Sequence, residues 1–276
     1  MVNQPATHDD LAAAAQGFAA DFGLTAADYA THRAGFPAAF FARLRANGWV
    51  SAGQKAVDLG TGTGTIARGL AKIGCSVIGV DPAEPMLHEA RRLAEADALA
   101  ITWQVGQAEA LDCPNASVDL VTAGQCWHWF DGPRTLAEVW RVLRPGGRLI
   151  IAHFDWLPVT GNVVAATEQL IAEANPSWKL GGGCGVYPTW FRQLDATAFQ
   201  EVESFTFDVT VPYTHAGWRG RIRASAGIRG ALSAAAVDAF DQRLGQRLAQ
   251  RFPDDPMGIP HRVFAVTGVK GDGRDG

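Results

Sequence analysis

The chain has 276 residues, 47% of them apolar and 19% charged, with a formal net charge of −4. That length carries one large core or a core plus a cap, and the interspersed acids and bases leave no extended basic face, which argues against nucleic acid as a partner. No run approaches the ~20 apolar residues of a membrane span, and MVNQPATHDD lacks the pattern of a signal peptide.

Residues 1–50 are alanine-rich and helical in pattern, broken by RAGFP at Arg33 to Pro37, and are expected to form an N-terminal helical lid. From Lys55 the rhythm changes. KAVDLG reads as a short buried strand, and TIARGLAKIG has helical spacing that stops at Gly74. SVIGVD is a second strand, AEPMLHEARRLAEA a helix with polar and apolar faces, ITWQVG a third strand and SVDLVTAG a fourth. PRTLAEVWRVL is helical, RPGG is a breaker, and RLIIAHF is a fifth strand. This alternation is the signature of parallel βαβ units in an α/β fold with helices on both faces of the sheet.

After Asp155 the rhythm is lost. The glycine-rich KLGGGCGVYP reads as a lid or a plain loop, VESFTFDVTVPY alternates like an antiparallel strand, Trp218 to Phe252 is helical, and HRVFAVTGVK closes the chain as a strand. The expected division is a core over 51–155, cap segments and completing strands over 156–270, and a frayed tail over 271–276. Cys75, Cys113, Cys126 and Cys184 share no metal-type spacing, so no metal centre and a reducing, cytoplasmic location are expected.

The turn DLGTGTG places Gly60, Gly62 and Gly64 where a strand gives way to a helix. Glycine there permits a sharp turn and close approach of a ligand to backbone. The register is GxGxG, not the GxGxxG of a dinucleotide fingerprint, and no Gly-Lys-Ser/Thr follows for a P-loop. Asp58 suits a cationic ligand better than a pyrophosphate. Asp81 ends the second strand, where an acid accepts ribose hydroxyls of dinucleotide and adenosyl ligands alike. Pro82 and Met86 follow and can flank a purine. A ribose, an adenine and a cationic amino-acid end together describe S-adenosylmethionine.

VDLGTGTG, VIGVDPAEPML, VGQAEAL, VDLVTAGQCWHWF and VWRVLRPGGRLII, taken in order, resemble the successive motifs of class I S-adenosylmethionine-dependent methyltransferases. The resemblance covers roughly residues 30–155. It implies a Rossmann-like, seven-stranded, mostly parallel sheet with its last strand antiparallel. It implies that Asp58 and the turn at Gly60, Thr61, Gly62 and Gly64 hold the methionine end. Asp81 then holds the ribose, and Gln107, Ala108 and Glu109 lie along the adenine. Gly124 and Gln125 lie near the sulfonium. Many members carry an acid where Gln107 stands; a Gln carbonyl still accepts from the adenine amino group.

The carboxyl end of the fourth strand is where open α/β sheets bind ligands. Trp127, His128, Trp129 and Phe130 follow it directly and suit a wall around a small organic acceptor. QCWHWF and YATHRAGFP narrow the resemblance to the small-molecule branch that includes trans-aconitate methyltransferases, and mark Tyr29 and Arg33 as substrate residues. Arg219 and Arg223, four apart on a helix, are candidates to meet an acceptor carboxylate. His261 is expected to be structural.

Transfer from a sulfonium is an in-line displacement, so the protein positions and desolvates the acceptor. A carboxylate needs no base; a hydroxyl benefits from one, and His128 is the candidate. O-methylation of a small carboxylate or hydroxyl is the leading reading. N-, C- or S-methylation, a carrier-bound acid, a nicotinamide-dependent oxidoreductase and a non-catalytic binder stand as alternatives.

Overall fold

Short apolar runs flanked by glycine become buried strands, and this sequence places them at the centre of its sheet. The structure, a computed structural model, describes residues 32–271 apart from 226 and 230. The first described helix is α1 (Ala38–Ala46), with Phe40 and Leu44 fully buried. Then come β1 (Lys55–Leu59), α2 (Thr65–Ile73), β2 (Ser76–Asp81), α3 (Glu84–Ala96), β3 (Thr102–Val105), β4 (Val118–Gly124) and α4 (Gly132–Val142). They are followed by β5 (Leu143–Trp156), α5 (Val163–Ala174), α6 (Pro188–Asp195), β6 (Phe199–Tyr213), α7 (His215–Arg223), α8 (Ala234–Arg251) and β7 (Met257–Lys270).

The seven strands lie in the order β3-β2-β1-β4-β5-β7-β6. The pairs β3–β2, β2–β1, β1–β4 and β4–β5 are parallel, and the last strands run antiparallel. This is the seven-stranded, mostly parallel α/β sheet that the sequence predicts. The chain moves outward from β1 to β3 and then returns to place β4 on the other side of β1. That reversal opens a crevice at the carboxyl ends of β1 and β4. The register sets Asp58 beside Gly79 on one side and Thr122 on the other.

Helix α2 starts at Gly64 and stops at Gly74, both in the left-handed region, and buries Ile66, Ala67 and Leu70 on one face. Helix α4 is capped by Asp131, whose side chain accepts from the Arg134 amide. The sequence predicts RPGG as a break between helix and strand. Instead β5 begins at once at Leu143, and its pairing with β4 jumps from Val118↔Leu143 to Leu120↔Arg148. Gly146, at φ 74°, takes up the extra length as a bulge that keeps the later core positions in phase.

Two compact units divide the described residues. The sheet unit holds 35–154, 187–206 and 263–271; the helical unit holds 32–34, 155–186 and 207–262. Residues 35–50, α1 among them, therefore belong to the sheet unit. The helical unit has its own core, with Val164, Leu170, Trp218, Ile222, Phe240, Leu244 and Ile259 buried together. The region read as helical over Trp218 to Phe252 is two helices that start at His215 and break after Arg223. Tyr29 lies outside the described residues. Among the described residues no helix is long and apolar enough to cross a membrane.

Candidate functional site

The turn after β1 is built around Asp58. Its Oδ2 accepts from the Thr61 hydroxyl at 2.6 Å and the Ala67 amide at 3.2 Å, and its Oδ1 accepts from the Thr122 hydroxyl at 2.6 Å. The side chain is buried, and burial raises its pKa to about 6; the hydrogen bonds pull it back down and Asp81's charge pushes it further up. Asp58 thus ties β1, the turn, α2 and β4 together. The sequence reading gave this carboxylate to the methionine end of the ligand. Its hydrogen bonds also make it a brace for the turn, with Oδ1 engaged by Thr122 alone among the described residues.

Three backbone amides of the turn are used internally. The Thr61 amide donates to the Val80 carbonyl at 3.0 Å, the Gly64 amide to the Thr61 carbonyl at 2.8 Å, and the Gly62 amide to Asp81 Oδ2 at 2.9 Å. The Ala67 amide, third in α2, goes to Asp58. The positive end of the helix is thus already met by a protein carboxylate, where a P-loop or a dinucleotide turn keeps its amides for phosphate. This geometry disfavours a pyrophosphate and accepts a cationic group.

The three glycines have different duties. Gly60 (φ 53°) could not carry a Cβ, which would fall 2.8 Å from Cys126 Cβ. Gly62 (φ 55°) has only the mobile Met86 Cε at 3.3 Å. At Gly64 a Cβ would meet the Trp103 indole at 2.6 Å, so this glycine serves the helix start and indole packing.

Asp81, at the end of β2, is buried and accepts from the Gly62 and Ala83 amides, each at 2.9 Å; burial raises its pKa. Each oxygen keeps a second lone pair for a hydroxyl donor. Met86 is buried beside the turn, and Pro82 is exposed. Ala108 is buried and Gln107 exposed. Glu109 Oε1 accepts from the Asp131 amide at 2.9 Å, so its carboxylate secures the approach to α4.

At the end of β4, a Cβ on Gly124 would sit 2.3 Å from Ile66 Cδ1. Gln125 follows at φ 63°, a left-handed conformation that costs a non-glycine residue, with its amide bonded to the Ala152 carbonyl at 2.9 Å. Its Oε1 is buried without a hydrogen-bond partner. An orphaned buried acceptor beside a strained backbone is what a ligand site leaves open.

The ring cluster splits. Trp127 is buried, donates Nε1 to Gln193 Oε1 at 2.7 Å and meets Phe130 edge-on at 6.0 Å. It packs into the core of the sheet unit. His128 and Trp129 are partly buried, with ring centroids 4.8 Å apart. His128 also lies 5.6 Å from the ring of His153, at the carboxyl end of β5. His153 Nδ1 is 3.0 Å from the Tyr187 hydroxyl. The sequence reading missed His153 and Tyr187; the available signal was a histidine within the apolar run IIAHF of β5.

In the helical unit, Arg219 and Arg223 both bind Asp241 of α8, Arg223 at 2.7 Å and Arg219 through both Nε and Nη2. They lash α7 to α8, and their carboxylate partner is internal. Arg221 turns the other way and lies over the Trp156 ring at 4.6 Å. His261 is buried and stacks on Tyr213, with Nδ1 3.0 Å from the Ile259 carbonyl. Burial lowers its pKa to about 4; Arg221 and Arg33 add to this, while the Ile259 bond and Asp155 oppose it. Arg33 therefore belongs to this basic neighbourhood.

The fold and the turn define an α/β protein built for an adenosyl ligand with a cationic end. A methyltransferase-domain family model matches residues 57–151. A methyltransferase of uncharacterised activity from Mycobacterium tuberculosis is 37% identical over 120 residues, 41% of this chain and 48% of that protein; the chain thus aligns with about half the length of such relatives. A ubiquinone/menaquinone biosynthesis C-methyltransferase of Roseobacter denitrificans is 32% identical over 187 residues, 61% of this chain and 75% of that protein. A structure from Anaeromyxobacter dehalogenans assigned to type II methyltransferases shares the fold, with a TM-score of 0.61 at 24% identity over 87% of this chain and 98% of that one. The chain belongs to the class I S-adenosylmethionine-dependent methyltransferases, whose cofactor is S-adenosylmethionine. The narrower resemblance to trans-aconitate methyltransferases rests on the sequence pattern alone.

Proposed function

We propose that this protein transfers a methyl group from S-adenosylmethionine to a small organic acceptor, most readily an oxygen of a hydroxyl or carboxylate. The observation that carries the reading is the turn after β1. The amides of Thr61, Gly62 and Gly64 and the third amide of α2 go to Asp58, Asp81 and backbone carbonyls, which favours a cation and a ribose over a phosphate.

The residues present fit the cofactor. Asp81 has lone pairs left for the ribose hydroxyls, and Gly62 with Met86 bounds a space beside the turn. Gly60 and Thr61 supply backbone carbonyls for the ammonium, while Gln107 and Ala108 border the adenine. Gln125 Oε1 is an acceptor in search of a donor. When bound, S-adenosylmethionine supplies an electrophilic methyl group on a sulfonium. The chain's own work is to orient the acceptor and exclude water. Trp129 is a wall of the acceptor space, and His128 takes the proton of a hydroxyl acceptor. For a carboxylate acceptor His128 would only shape the pocket.

A second reading is C-methylation, which the name of the Roseobacter relative favours. Methyl-labelled S-adenosylmethionine, a cell extract and mild alkali separate the readings. Label in a small molecule and lost in alkali is a methyl ester. Label that resists alkali is an ether, an amine or a carbon-bound methyl, resolved by mass spectrometry of the product. A C-methyl product would overturn O-methylation and leave methyl transfer standing.

A further inference from the structure

We propose that Tyr187 and His153 are positioning residues for His128, a role that rests on the reading of His128 as the base. The three side chains come from separate parts of the sheet unit. His128 sits just after β4, His153 at the end of β5, and Tyr187 immediately before α6. They form a row: the Tyr187 hydroxyl lies 3.0 Å from His153 Nδ1, and the His153 ring lies 5.6 Å from that of His128.

Packing makes the row stiff. Tyr187 stacks on Trp190 at 4.2 Å with ring planes 6° apart, and both rings contact Phe264 at 5.8 Å. His153 is itself buried, within 6.0 Å of Trp190. The Tyr187–His153 hydrogen bond lies inside this aromatic cluster, where a buried hydrogen bond fixes the orientation of the rings that make it.

The direction of the hydrogen bond follows from the chemistry. A phenol is a good donor and a poor acceptor, and the unprotonated nitrogen of a neutral imidazole is a strong acceptor. Tyr187 therefore donates to Nδ1, which places the ring proton of His153 on Nε2. That holds the His153 ring in one orientation against the His128 ring. The pair thus fixes the face against which the His128 ring is held.

The test is nitrogen-15 imidazole NMR on the full chain near neutral pH, with His128 and His153 signals assigned through single variants. The wild-type protein is expected to show His153 as the Nε2–H tautomer. Tyr187→Phe, which keeps the stack on Trp190, is expected to mix the tautomers of His153 and to displace the His128 ring signals. An Nδ1–H tautomer on wild-type His153, or a folded Tyr187→Phe protein with both histidine spectra unchanged, would overturn the proposal.

A rate measurement gives a second readout and covers a Tyr187→Phe chain that fails to fold. His153→Gln, able to keep a polar contact with Tyr187, should retain methyl transfer to the extract's acceptor within about threefold. His153→Leu should lose on the order of tenfold, part of the roughly 10²–10⁴-fold that a base contributes. Equal rates in the Gln and Leu variants would indicate packing alone and refute positioning. If His128→Ala leaves the rate unchanged while the spectra behave as expected, the base reading fails and the Tyr187–His153 pair stands, so the two failures are distinct.

Discussion

Gly60 and Gly62 sit two residues apart in one turn and face different surroundings. Both need a left-handed backbone, which costs an alanine about 1–2 kcal/mol. Gly60→Ala also drives a methyl into Cys126, an overpacking cost of about 1–3 kcal/mol. Thermal unfolding should therefore place Gly60→Ala well below Gly62→Ala, whose methyl meets only the mobile end of Met86. Similar melting temperatures for the two would show that Cys126 yields. Asp81→Ala strips the acceptor from the Gly62 and Ala83 amides and removes the proposed ribose contact. Hydrogen bonds to a charged group contribute about 1.5–3 kcal/mol. Calorimetric titration with S-adenosylhomocysteine should show a Kd about 10–100-fold weaker, and an unchanged Kd would remove Asp81 from the cofactor site. These roles were legible because Asp81 and the glycines lie at fixed spacings from one strand end. The bracing role of Asp58 was not, because Thr122 comes from a strand 64 positions along the chain.

At the level of elements, α7 and α8 are joined through Asp241. Two arginines four apart on a helix do share a face, as the sequence predicts, but the sequence does not reveal what that face meets. Asp241→Ala should cost about 1 kcal/mol or less in denaturant unfolding, since Arg219 is a third exposed and such pairs are screened. It should leave S-adenosylhomocysteine affinity unchanged. Loss of acceptor methylation in Arg219→Ala at intact stability would return that arginine to a substrate role. The βαβ rhythm was legible because period and glycine stops agree from Lys55 to Phe154. The bulge at RPGG was hidden, because a Pro-Gly-Gly run also fits an ordinary turn. His153 and Tyr187 were hidden because 34 positions separate two residues that only packing brings together.

For the molecule as a whole, two buried groups act on pH stability with opposite signs. Asp58 titrates near 6 in the folded chain, above its ordinary 3.8. The folded state holds its proton longer, so this group lowers stability as pH rises from about 4 to 6, by on the order of 3 kcal/mol. His261 titrates near 4, below its ordinary 6.5. The folded state releases its proton first, so this group lowers stability as pH falls from about 6.5 to 4, by a similar amount. Within that window the two slopes largely offset. Against the wild-type denaturant midpoint, Asp58→Asn should gain stability as pH rises through the window, and His261→Gln should gain as pH falls. Parallel curves for all three proteins would show that neither group is perturbed as described.

The central claim is methyl transfer to a small acceptor, and one measurement meets it most directly. Purified protein is incubated with methyl-labelled S-adenosylmethionine and a whole-cell extract, and the products are separated by size, with Asp81→Ala as the paired control. The account predicts label in the small-molecule fraction from the wild-type protein and little from the variant. Label carried by protein or RNA, or label transfer equal in both proteins, would contradict it.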